Sequence, residues 1–121
     1  MDRIYLDHNA TTPVDPEVVE AMLPFLGGGF GNASSVHSFG REAKVALENA
    51  REQIAAFIGC QPAEFYFTSG GTESDNLAVQ GVARNLRARK NHLIVGATEH
   101  HAVLEPAEYL AHKEGFELDI L

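Results

Sequence analysis

The apolar positions of this chain change their period several times, and each change marks an element. Asp15 precedes Pro16 and Glu17, which reads as an N-cap, a first helical position and an acidic first turn. A short helix to about Leu26 follows and stops at Gly27-Gly28-Gly29. Farther on, Ala43, Ala46, Leu47, Ala50, Ile54 and Phe57 recur at steps of three and four, so a longer helix is predicted from about Arg41 to Ile58, ended by Gly59. The polar run "FGNASSVHSFG" between the two helices reads as a loop. The bulky alternation of Glu64–Thr68 predicts a strand, and a helix is predicted from about Thr72 to Arg89. Thr72 is its expected cap, with Asp75 three residues on and Arg87, Arg89 and Lys90 at its end. "HLIVGAT" predicts a second strand, "HAVLEPAEYLAHKEG" a helix stopped by Gly115, and "FELDIL" a third strand. Pro106 is expected in the first turn of that last helix or at the start of a new one.

Two strand–helix–strand units imply parallel pairing by right-handed crossovers, hence an α/β fold. The segments divide as an arm over 1–14, helices over 15–60, and the start of a larger sheet domain over 61–121. Ending on a strand with no covering helix, the order of elements resembles the N-terminal part of a larger protein.

Composition narrows the function. With 121 residues, 45% of them hydrophobic, the chain is one domain in size and has the means to bury a core. Its 17 acidic against nine basic side chains give a formal charge of -8, which argues against nucleic acid as a partner, since phosphates demand cations. No 18-residue apolar run and no signal-like leader is present, so neither membrane nor secretion is expected. The single cysteine, Cys60, forms no internal disulfide and suits a reducing cytoplasm.

The candidate chemistry lies where the period changes most abruptly. In "FYFTSGGTESDN" a strand pattern gives way to Ser69-Gly70-Gly71-Thr72 and then to a helix. Such a turn aims backbone N–H groups and a helix N-terminus at one point, and it holds a phosphate without Lys or Arg. Ser69 and Thr72 add hydroxyl donors. The same turn also serves as a plain strand-to-helix connection. With neither a Gly-Lys-Ser/Thr nor a GxGxxG pattern, one phosphate is the candidate ligand. "ATEHHAV" follows the next strand, and ligands of open α/β sheets sit at the carboxyl ends of strands. Glu99, His100 and His101 are therefore expected near the glycine turn, where an imidazole is suited to stack on a planar ring or move protons. A polar turn that happens to carry two histidines is the plainer alternative. Adjacent histidines diverge on an extended backbone, so no metal site is expected.

Four segments, "YLDHNATTP", "GNASSVHSFGREA", "FTSGGTESDNLAV" and "TEHHAVLEP", occur in this order. Together they resemble the N-terminal portion of the cysteine desulfurases, pyridoxal-phosphate enzymes of the aminotransferase-like fold type I. That resemblance implies that Gly70, Gly71 and Thr72 hold the phosphate of pyridoxal 5'-phosphate, and that His100 stacks on its ring and takes part in catalysis. It assigns no role to His101. It implies L-cysteine as substrate, alanine and an enzyme persulfide as products, a homodimer, and an iron–sulfur scaffold or other sulfur acceptor as partner. Selenocysteine lyases share much of the pattern, and a non-catalytic fragment that binds phosphate or a partner is a third reading. The family's Schiff-base lysine and sulfur-accepting cysteine have no match here. Lys44, Lys90 and Lys113 read as surface lysines and Cys60 as a structural thiol, so both groups, and the acid beneath the ring nitrogen, are expected from the remainder of the enzyme.

Overall fold

The computed structural model describes residues 3–121; of the expected arm, Met1 and Asp2 lie outside the described residues. The chain divides into two compact units, one ending at Phe65 and the other spanning Tyr66–Leu121.

In the first unit, helix α1 runs Pro16–Leu26 and α2 runs Ser38–Ile58. The Asp15 carboxylate accepts the Glu17 amide at 2.9 Å and supplies the cap its position announced. Helix α2 begins three residues earlier than its apolar period indicates. His37 caps it, Nδ1 accepting the Gly40 amide, so part of the expected loop is helix. Hydrophobic periodicity registers only turns with a buried face, and the first turn of α2 is largely exposed. Gly40 is buried because the carbonyls of Asn32 and Ser35 fold closely over it. At the other end Gly59 adopts φ 76°, and its amide closes on the Ala55 carbonyl. A 3₁₀ turn over Pro62–Glu64 follows, where the Glu64 carboxylate accepts the Gln61 amide at 2.8 Å. The Arg51 guanidinium reaches from α2 to donate to the Phe65 carbonyl.

The second unit contains α3 (Gly71–Leu86), β1 (His92–Val95), α4 (His101–Glu114) and β2 (Glu117–Ile120). The strands β1 and β2 pair in parallel, with Leu93 opposite Leu118 and Val95 opposite Ile120, and α4 is the crossover between them. Ala83 of α3, Leu110 of α4 and Phe116 form the core, with Val79 and Leu93 against it. Leu110 is fully buried. Polar ties at the rim hold the same elements: Arg84 of α3 meets Glu114 of α4 at 2.6 Å, and Arg87 lies 5.2 Å from the Phe116 ring centre.

The mixed α/β architecture and its parallel pairing agree with expectation, but one predicted strand is absent. Among the described residues the sheet has two strands, and Glu64–Thr68 is not one of them. Glu64 is committed to the 3₁₀ turn, and the residues after it meet no ladder. Alternating bulky side chains suit a two-faced setting; a strand also requires a neighbouring backbone to bond. Pro106 is a second correction. It lies in the second turn of an unbroken α4, where its missing N–H forgoes a single bond, and it is buried.

Candidate functional site

The two stretches singled out in the sequence meet within the second unit. Helix α3 opens at Gly71, with Gly70 as N-cap and no side chain capping it. The first amide of the turn to find a backbone partner is that of Ser74, which donates to the Gly70 carbonyl at 3.1 Å. The amides before it, at Gly71, Thr72 and Glu73, are the orphan donors every helix start carries, and the positive end of the helix dipole adds to them. Thr72 is therefore not the cap that its spacing to Asp75 suggested. The helix starts one residue earlier, and the acid that folds back is Glu73. Its carboxylate accepts the Ser69 amide at 2.6 Å and the Ser69 hydroxyl at 2.7 Å. Those bonds, the side-chain one foremost, hold the Glu73 carboxyl below its ordinary range. The acid is thus spent on Ser69 and leaves the Gly71 and Thr72 amides to an outside acceptor. Thr68 ties the turn from the other side, its hydroxyl 2.6 Å from that of Ser74. A Cβ at Gly70 or Gly71 would meet open space, so internal packing does not account for either glycine.

Past β1 the chain turns tightly, the Glu99 amide donating to the Gly96 carbonyl, and delivers His100 to the start of α4. His100 is the N-cap of α4: its Nδ1 accepts the Ala102 amide at 3.0 Å. A cleft of about 360 Å³ lies between α3 and α4. Thr72 and His100 both line it, so one small ligand has access to both. Asn76 and Gln80 continue the α3 wall one and two turns beyond Thr72. The Asn76 amide donates to the Thr72 carbonyl at 2.9 Å and the Gln80 amide to Asn76 at 2.8 Å. Sequence reasoning passed over these two residues, although their four-residue steps from Thr72 place them on its face. His101 and Glu105 form the rim, 3.9 Å apart and both exposed.

The donor set suits an anionic, flat coenzyme. Unengaged helix amides and a hydroxyl offer neutral donors to a phosphate, and an imidazole in the same cleft offers a face to a ring. Among the described residues no Lys or Arg lines the cleft, so these donors and the helix end are what this unit offers an anion.

Known proteins resemble this chain along nearly its whole length. The family described as "Aminotransferase class-V" matches residues 4–121. Cysteine desulfurase IscS of Dictyoglomus turgidum is 55% identical over 118 residues, covering 98% of this chain and 30% of that protein. The cysteine desulfurase of Homo sapiens is 50% identical over 119 residues, covering 98% of this chain and 26% of the human one. Among solved structures, a NifS-like protein superposes with a TM-score of 0.89 at 42% identity, over 99% of this chain and 33% of its own. SspA in complex with cysteine superposes with a TM-score of 0.84 at 39% identity, over 97% of this chain and 33% of its own. The chain thus spans under a third of the length of these two curated relatives. With the family pattern running from residue 4 to the last, this chain belongs to the class-V aminotransferases.

Proposed function

We propose that these residues are the phosphate grip and ring-facing wall of a pyridoxal-phosphate-dependent cysteine desulfurase. The observation that carries this reading is the shared cleft: the uncapped start of α3 with Thr72, and His100 across from it. The names of the relatives supply the substrate class. Pyridoxal phosphate, when bound, supplies the electron sink that makes a carbon–sulfur bond of an amino acid labile. This chain's part is to hold the phosphate with the Gly71 amide and with the amide and hydroxyl of Thr72. Gly70 lets the backbone approach closely, and His100 flanks the ring. Asn76 and Gln80 brace Thr72 from below.

The net reaction is balanced by a cysteine thiol of the enzyme, supplied by the remainder of the protein. Its sulfur bonds to the substrate sulfur, the Cβ–S bond of L-cysteine breaks, and Cβ takes a proton to give alanine and an enzyme persulfide. The persulfide then serves an iron–sulfur scaffold or another acceptor. A cytoplasmic homodimer completes the proposal. Among the described residues no helix is long and apolar enough to cross a membrane.

The test uses the full-length protein loaded with pyridoxal phosphate and given L-cysteine. Alanine and persulfide are expected in equal amounts, with loss of both in Thr72→Ala and His100→Ala. Cofactor binding without alanine release from cysteine, or a decisive preference for selenocysteine, would overturn the assignment.

A further inference from the structure

His100 belongs to the cleft and to the start of α4 together. Its Nδ1 accepts the Ala102 N–H at 3.0 Å, and a nitrogen that accepts a hydrogen bond carries a lone pair. In the neutral ring the proton then resides on Nε2. Ala102 is only 6% exposed, which leaves water little room to compete for its amide. The titratable side chains lining the cleft around His100 are His101, Glu105 and Tyr109, all on α4; α3 contributes the uncharged Thr72, Asn76 and Gln80.

We infer that the buried Ala102 amide is a positioning group that holds the His100 ring by Nδ1 in the Nε2–H tautomer, so that Nε2–H is the hydrogen-bond donor the imidazole offers the cleft. One ring nitrogen is thus fixed by the start of α4, and the other is left for the cleft. The inference rests on the proposed function only for what Nε2 meets; the tautomer itself is a property of the protein without ligand.

The experiment is ring ¹H–¹⁵N correlation spectroscopy of the full-length protein labelled in histidine, with and without pyridoxal phosphate. His100→Asn, which retains a capping side chain, assigns the signals by their loss. The expected result is an unprotonated Nδ1 and a protonated Nε2 in the cofactor-free protein; an Nδ1–H tautomer or an averaged ring would overturn the inference. Ala102→Pro removes the donor at the second position of α4, within the first turn, where proline is accepted. It is expected to abolish the tautomer preference, and an unchanged preference sinks the idea. Should that variant fold poorly, melting temperatures decide: His100→Asn is expected to keep more of the wild-type value than His100→Ala, and equal losses argue against the cap. Failure of the cofactor's visible absorbance to appear, with the Nε2–H tautomer intact, would count against the proposed function and not against this inference.

Discussion

Thr72 occupies a position where a hydroxyl and an amide, neither bonded among the described residues, coincide with a helix end. Removing the hydroxyl takes away one bond to a charged group, worth about 1.5–3 kcal/mol. Thr72→Ala is accordingly expected to weaken retention of pyridoxal phosphate by about ten- to a hundredfold, and Thr72→Ser to retain most of it, as read by equilibrium dialysis. Glu73 and Glu114 carry a different prediction. Both carboxyls lie below the ordinary 4.5, Glu73 through its bonds from Ser69 and Glu114 chiefly through its bond from Arg84. A depressed folded-state value means that the stabilisation is present above 4.5 and is lost as pH falls through the folded values. Glu73→Gln and Glu114→Gln should each flatten the acid limb of a melting-temperature profile and leave its neutral limb parallel to wild type. An acid limb as steep as wild type in both variants would contradict the assignment. These contacts also show why Thr72 is not the cap of α3. The Thr72-to-Asp75 spacing satisfies a local rule, whereas the actual partner of the acid depends on where Gly70 lets the helix begin.

Helices show how much of an element is local. The bounds of α1 followed from Asp15, Pro16 and Gly27, and the ends of α2 and α4 from Gly59 and Gly115, all of which act within a turn of themselves. Gly115 sits at φ 72° with open space where a Cβ would stand, so Gly115→Ala should cost about 1 kcal/mol from backbone conformation alone. Leu110, wholly enclosed where α4 faces α3 and Phe116, should cost about 2–5 kcal/mol on truncation to alanine. Urea unfolding of both variants tests the order, and a Gly115→Ala loss exceeding that of Leu110→Ala would refute it. The strand expected at 64–68 depended on something no residue in it carries, a second backbone alongside.

At the level of the whole chain, the distribution of apolar surface is uneven. Helix α1 buries none of its residues, and Val18, Met22, Leu23, Phe25 and Leu26 all stay exposed. Exposed apolar area of this extent favours association. Residues 1–121 produced alone should therefore bind a hydrophobic dye and self-associate, as light scattering would show, and should release no alanine from cysteine. Reductive trapping of pyridoxal phosphate on the full-length protein should modify a lysine other than Lys44, Lys90 and Lys113. Stoichiometric labelling of any of these three would remove the basis for the division of roles proposed above.

Periodicity, capping residues and glycine stops announced the four helices and the parallel β–α–β unit, because these signals act over a few residues and are written in neighbouring side chains. The glycine turn and the histidine pair were likewise visible as candidates, since unusual residue types stand out against a regular background. Three things required the folded chain: that residues 65–68 join no strand pairing among the described residues, that Glu73 rather than Thr72 folds back at the start of α3, and that Thr72 and His100 face one cleft. Each depends on groups distant in sequence, or on which of two competing hydrogen bonds forms. Such competitions are settled by packing, where Ala83, Leu110 and Phe116 set the distance between α3 and α4.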